Sequence, residues 1–264
     1  PVPPFQGTSP AAPGTSARTS GASPDTSDAS HDAPGTSVET SGAFPETSGA
    51  SHDAPGTSGT SHGTAGPPGD TSGTAGLPPV LAGHVEGHLA AARRMAELVP
   101  DVEAVADLLI EAFARGGILY TMGNGGSAAD AQHLTGELVG HYKRDRRPLP
   151  AVTLTTDATV MTCIANDYAY DEVFARQVQA LARPGDVVAA FTTSGNSPNV
   201  VEALATAQSR GAVTVLFGGG DGGAAAKHAD HLLLAPSSET PRIQEIHTLM
   251  LHMISDKVDA WAAA

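Results

Sequence analysis

Two short segments, Gly123-Asn124-Gly125-Gly126-Ser127 and Thr192-Thr193-Ser194-Gly195-Asn196-Ser197, each follow an apolar run of strand length and each lead into a helical pattern. A strand that breaks through a Gly/Ser turn into a helix is half of a βαβ unit. Two of them commit a chain to a parallel sheet covered by helices. The same turns are anion cradles. Glycine lets backbone N–H groups approach a ligand, hydroxyls add donors, and a helix N-terminus favours negative charge. Neither turn ends in Gly-Lys-Ser/Thr as a P-loop does, and neither fits the G-x-G-x-x-G dinucleotide fingerprint. A pair of them in one α/β unit points to a phosphorylated small molecule.

This pattern occupies only part of the chain. Residues 1–77 are almost entirely Gly, Ser, Thr, Pro, Ala, Asp and His, with Phe5 and Phe44 as their aromatics. Such a segment buries too little apolar surface to offset its chain entropy, and it is expected to be a disordered low-complexity tail. It carries an internal repeat: the nineteen residues from Thr19 to Ser37 recur from Thr40 to Ser58 with three changes. The repeat has no apolar face to stack, so it is read as a duplicated linker and not as a solenoid. No basic start followed by an apolar run identifies a secretory signal. The first residue is proline, so a missing or processed start is expected. Residues 78–264 are a full single-domain length.

Composition excludes several partners. A net charge of −14 argues against a general nucleic-acid or membrane-surface binder. No apolar run is long enough to span a membrane. One cysteine, Cys163, rules out intrachain disulfides and fits a reducing, cytoplasmic setting. It sits in the apolar-leaning run Val160–Ala165, which predicts a core residue. The basic cluster Lys143–Arg147 has two readings, a solvated loop after a helix or a clamp for an anionic substrate or a second subunit.

Periodicity predicts helices over Leu81–Leu98, closed by Pro100, and over Val102–Arg115, ended by Gly116-Gly117. Strands follow at Ile118–Met122, Ala151–Thr155, Asp186–Phe191, Ala212–Phe217 and His231–Leu234. Between them lie helices from Ser127 to Gly140, from a cap at Asp157, over Glu172–Leu181, and over Pro198–Arg210. A last helix covers Pro241–Trp261. The expected architecture is a three-layer α/β/α sandwich on a five-stranded parallel sheet. Ligands bind such sheets at the carboxyl ends of the strands, where both cradles lie.

His133 and Glu137 are four apart on the helix that leaves the first cradle, so they share a face. Gln244 and His252 are eight apart on the last helix and lie on one stripe. Two imidazoles, a carboxylate and an amide oxygen suit zinc or a similar divalent ion. His252 also reads as a satisfied core histidine among Leu249, Met250, Leu251, Met253 and Ile254, and His247 is a second candidate of the same kind. Spacing does not choose between them.

Taken together, Gly123–His133, Glu137-Leu138, Asn166-Asp167, Thr193–Ser197 and Arg242-Ile-Gln-Glu-Ile-His247 with His252 resemble the phosphoheptose isomerases, the sedoheptulose 7-phosphate isomerase branch of the sugar isomerase (SIS) domain superfamily. The resemblance covers the whole of 78–264 and none of the tail. It implies a flavodoxin-like fold, a homotetramer with active sites at subunit interfaces, and conversion of D-sedoheptulose 7-phosphate to D-glycero-D-manno-heptose 7-phosphate through an enediol. It implies substrate contacts at Asn124, Gly125, Gly126, Ser127, Glu137, Asn166, Asp167, Thr192, Thr193, Ser194, Ser197 and Gln244. It implies one Zn2+ per subunit held by His133, Glu137, Gln244 and His252, and it selects His252 over His247. Glu137 and His252 become the acid/base pair of the proton transfer, although a carboxylate that coordinates metal is a weaker base.

Three departures stand out. Pro241 occupies the position before Arg-Ile-Gln-Glu where relatives often carry an acid, Thr192 replaces a common Ser, and Gly136 is unusual inside a helix. A module that only binds a sugar phosphate, or one that binds a replication-initiator protein, would keep the cradles and need no base, acid or metal set. All four of those positions are filled here. A third reading, isomerisation of a different sugar phosphate, rests on Pro241.

Overall fold

The structure is a computed structural model that describes Thr74 and residues 76–264. The tail repeat, with His31 and His52, lies outside the described residues. The elements run α1 (Pro79–Arg93), α2 (Val99–Ala114), β1 (Leu119–Gly123), α3 (Gly126–Val139), β2 (Ala151–Thr153), α4 (Ala158–Asp167), α5 (Ala175–Leu181), β3 (Val187–Phe191), α6 (Pro198–Ser209), β4 (Val213–Gly219), β5 (His231–Ala235) and α7 (Thr240–Ala262). Short 3-10 turns occupy Arg94–Glu97, Tyr170–Glu172 and Gly223–His228.

The five strands are all parallel, in the order β2-β1-β3-β4-β5. Their side chains alternate between two cores. Leu119, Val187, Ala189, Phe191, Val215 and Phe217 face α2, α3 and α7. Tyr120, Met122, Val188, Ala190 and Leu216 face α4, α5 and α6. Every residue of β1 and β3 is buried, which explains why these strands read as continuous apolar runs.

The strand order places the site. From β1 the chain moves outward to β2, then returns to β3 on the other side of β1. The switch point therefore lies between β1 and β3, where open α/β sheets bind ligands. The first cradle follows β1 and the second follows β3. Gly123 pairs with Phe191 in register, so both turns leave the sheet at one level.

Some local expectations change. Pro100 does not close the first helix. It sits in the first turn of α2, where its missing N–H has no partner to lose. The end of the first helical pattern is instead the 3-10 turn Arg94–Glu97. The segment read as one helix over Glu172–Leu181 is a 3-10 turn followed by α5. Cys163 is exposed, because α4 is a surface helix that buries Ile164 alone. Asp157 does cap α4, accepting from the N–H groups of Thr159 and Val160 at 2.9 and 3.0 Å.

Candidate active site

Helix α3 starts directly from the first cradle and is locked to the sheet by hydroxyls. Thr121 on β1 donates to the Ala131 carbonyl at 3.0 Å, and Thr121, Thr135 and Thr153 share hydrogen bonds of 2.8 to 3.0 Å. Helix α7 lies beside α3 in the same direction. The Gln244 side chain covers Gly126, the Thr248 hydroxyl donates to Asp130 at 3.2 Å, and His252 meets His133. Each step advances about one turn on both helices, the signature of a parallel pair in register.

That seam brings His133, Glu137 and His252 together. One ligand atom from each lies within 4.8 Å of the others. His133 Nε2 is 3.0 Å from Glu137 Oε1 and 3.3 Å from His252 Nε2. The two rings meet edge to face at 82°. Burial, helped by the neighbouring His133 and Lys143, holds the His252 pKa below the ordinary histidine value, against the opposing pull of Glu137. An imidazole kept neutral is one ready to ligate or to accept a proton. Gln244 lies on the same stripe two turns earlier, with its amide against Gly126.

Burial separates the two α7 histidines. His247 is fully buried, donates from Nε2 to the Gly218 carbonyl at 3.0 Å and stands edge-on to Phe191 and Phe217. Burial drives its pKa down to about 4. It is the core histidine, and His252 is the accessible one.

In the second cradle Gly195 has φ +65°, and an added Cβ would run into the Gly222 carbonyl, so the turn requires glycine. Thr192 Oγ accepts from the Gly195 N–H and Ser194 Oγ from the Asn196 N–H, both at 3.2 Å. Ser197 precedes α6 without capping it through its side chain, which leaves the first-turn N–H groups to other partners. The two cradles are tied by a reciprocal amide pair, Asn124 with Asn199 at 2.9 Å in both directions, and Tyr170 donates to Asn124 Oδ1 at 3.1 Å. Asn166 and Asp167 close α4 three residues before Tyr170. Their hydrogen bonds run to each other and to Cys163. Ser127 is buried in the first turn of α3.

Three features of the site lie outside the sequence expectations. Asn199 is buried in α6, and nothing local marks it as a bridge. Asp130 is buried with Oδ2 unpartnered, and burial pushes its pKa up. The basic cluster is a solvated loop after α3, with Lys143, Arg144 and Arg147 exposed, except at Arg146. The Arg146 side chain is 1% exposed, donates to Asp259 at 2.7 Å and caps α3 by donating to the carbonyls of Glu137, Leu138 and Gly140. Arg144 and Lys143 pair with Asp256. A Cβ on Gly136 would meet nothing within 4 Å.

Comparison with known proteins converges on one group. The SIS domain family matches residues 88–219. The chain is 52% identical over 163 residues to a phosphoheptose isomerase of Geobacter metallireducens, covering 62% of this chain and 86% of the relative. Among solved structures it resembles a phosphoheptose isomerase from Neisseria gonorrhoeae, with 40% identity and a TM-score of 0.65, and one from Francisella tularensis, with 32% identity and a TM-score of 0.67. Each match covers 69% of this chain and 97% of the other.

Proposed function

This chain belongs to the phosphoheptose isomerases of the SIS domain family, and from that premise we propose that it converts D-sedoheptulose 7-phosphate to D-glycero-D-manno-heptose 7-phosphate for activated heptose biosynthesis. The observation that carries the reading is the convergence of His133 Nε2, Glu137 Oε1 and His252 Nε2, about two turns along α3 from the first cradle. A module that only binds a sugar phosphate or a replication-initiator protein has no use for that cluster.

The donor set fits zinc. Two imidazole nitrogens and a carboxylate oxygen form the three-ligand set common to catalytic zinc sites. His133 Nε2 carries one hydrogen at most, yet it faces a carboxylate oxygen and a second imidazole nitrogen. A cation satisfies all three at once. His133, Glu137 and His252 would hold it, and Gln244, whose amide packs against Gly126 two turns away, would have to swing toward them to serve as the fourth ligand. Bound there, zinc polarises the carbonyl and favours the negative charge that develops on its oxygen.

The remaining work belongs to the chain. The cradles, through Asn124, Gly125, Gly126, Ser127, Thr192, Thr193, Ser194 and Ser197, hold the phosphorylated substrate, with Asn166, Asp167 and Gln244 on the sugar. Binding energy at the phosphate orients the reacting carbons. Glu137 removes the proton beside the carbonyl and returns it to the neighbouring carbon. His252 moves the proton between the two oxygens of the enediol.

We also propose a cytoplasmic homotetramer. Leu81, Val85 and Leu89 recur every four residues on α1 and are exposed, an apolar stripe that suits a helix–helix contact between subunits. Among the described residues no helix is long and apolar enough to cross a membrane. Residues 1–77 contribute nothing to turnover, so a chain starting near Pro78 keeps its activity.

The test is direct. Purified protein with sedoheptulose 7-phosphate, with and without zinc, should yield the aldose phosphate by NMR, and Glu137→Gln should lower kcat by roughly 100- to 10,000-fold. A folded protein inert with every divalent metal tried ends the substrate assignment.

A further inference from the structure

Tyr142 stands outside the acid, base, metal and substrate sets named above, yet its ring stacks on the His252 imidazole. The centroids are 5.3 Å apart and the planes differ by 19°. The residue is firmly held. Asp259 lies seven residues beyond His252 on α7, and so on nearly the same stripe. Its carboxylate accepts the N–H groups of three successive residues, Tyr142 at 3.4 Å, Lys143 at 2.9 Å and Arg144 at 2.7 Å. Arg146 closes the arrangement by joining Asp259 to the end of α3. Lys143 Nζ sits 4.8 Å over the Tyr142 ring. The loop between α3 and β2 is thus fastened to both helices of the seam, and what it presents to the donor cluster is a flat aromatic face.

We propose that Tyr142 is a positioning residue that sets the plane of the His252 imidazole, edge-on to His133 with Nε2 toward the cluster. The physical need is specific. The outer torsion of a histidine is broad and nearly two-fold, so backbone placement alone does not decide where Nε2 points. A ring stacked on one face confines the imidazole to one plane. Residues that orient a ligand in this way are worth about 10- to 100-fold in metal affinity. The inference rests on the reading of His252 as a metal ligand only for its consequence. The orientation itself is testable without metal.

The experiment uses the full chain with Tyr142→Phe, Tyr142→Leu and, for assignment, His252→Ala. In metal-free protein the His252 ring protons should be displaced upfield by the Tyr142 ring current. That displacement should survive in Tyr142→Phe and vanish in Tyr142→Leu. Zinc affinity, measured by competition with a chromophoric chelator, should match wild type in Tyr142→Phe and fall by about 10- to 100-fold in Tyr142→Leu. Unchanged His252 resonances in Tyr142→Leu overturn the proposal, and so does a Tyr142→Phe that behaves like Leu, since the hydroxyl would then be responsible. A wild type that binds no zinc while the ring shifts behave as stated defeats the metal reading alone. If Tyr142→Leu fails to fold, Tyr142→Met takes its place.

Discussion

His252 Nε2 stands 3.3 Å from His133 Nε2, although 119 positions separate the two residues. The contact exists because α3 and α7 run side by side in the same direction, so the third turn of α3 and the fourth of α7 come to the same level. Two imidazole nitrogens at this distance, with Glu137 Oε1 beside them, are a donor set that could hold a cation. Chelation of the protein should abolish isomerisation, and zinc should restore it. His133→Ala should weaken zinc binding by at least about 100-fold, since even the partners that merely orient a ligand cost 10- to 100-fold. Titration with a competing chelator measures this, and an affinity equal to wild type would remove His133 from the site.

The Arg146–Asp259 pair is a structural joint. Both side chains are essentially buried, and Asp259 also accepts three backbone N–H groups of the α3–β2 loop. Removing one partner leaves the other charged and buried, which costs about 3–5 kcal/mol. Arg146→Met and Asp259→Asn should each lower stability by that order in urea melts. Replacing both by apolar residues often recovers such a loss. Here Arg146→Met combined with Asp259→Leu should recover little, because the loop N–H groups would still lack an acceptor. Full recovery in the double variant would show that the loop contacts contribute nothing.

Acid stability should fall in two windows. His247 is neutral in the fold, with its pKa depressed by burial from 6.5 to about 4. The unfolded chain binds that proton first, so stability drops as pH falls from 6.5 toward 4, by on the order of 3 kcal/mol in all. Burial alone would raise the Asp259 pKa, but the N–H groups of Lys143, Arg144 and Tyr142 and the Arg146 guanidinium outweigh it and bring it to about 2. Its stabilisation is complete above the ordinary value of 3.8 and is lost between there and 2. Urea melts at pH 7, 5.5 and 4.5 should show a shallower decline in His247→Phe than in wild type. Parallel declines would mean that His247 is protonated inside the fold.

The two cradles and the alternation of strands and helices were legible because they are local. A buried strand, a Gly/Ser turn and a helix start are all written within about ten consecutive residues, whereas the switch point between β1 and β3 depends on a strand order that only the folded sheet shows. Spacing did not choose between His247 and His252, and only the family resemblance pointed to His252. Both sit among apolar neighbours on α7, and five residues turn the helix by about 140°, so one faces Phe191 and Phe217 while the other faces α3. Only the packing of α7 decides which is which. Arg146 was misread because its partner Asp259 is 113 residues away and no spacing rule connects them. Cys163 was misread because an apolar-leaning run does not say whether a helix is covered. Asn199 was missed for the same reason as Arg146, since its partner Asn124 belongs to the other cradle.

Glycine at 126 is demanded by a neighbour and not by its backbone angle. A Cβ there would overlap the Gln244 side chain, whereas the equivalent change at Gly195 would drive a Cβ into the Gly222 carbonyl at a φ of +65°. The consequences should differ in kind. A side-chain amide can swing aside, so Gly126→Ala should fold with a melting temperature within a few degrees of wild type while displacing Gln244. A backbone carbonyl cannot, and the positive φ adds strain of about 1 kcal/mol or more, so Gly195→Ala should be visibly destabilised. If Gln244 serves metal and substrate as proposed, Gly126→Ala should lower kcat/KM by about tenfold or more, and Gln244→Ala placed on top should add little, because the two changes remove the same contact. Independent, multiplicative losses in the double variant would show that Gly126→Ala does not act through Gln244 and that Gly126 serves the substrate in its own right.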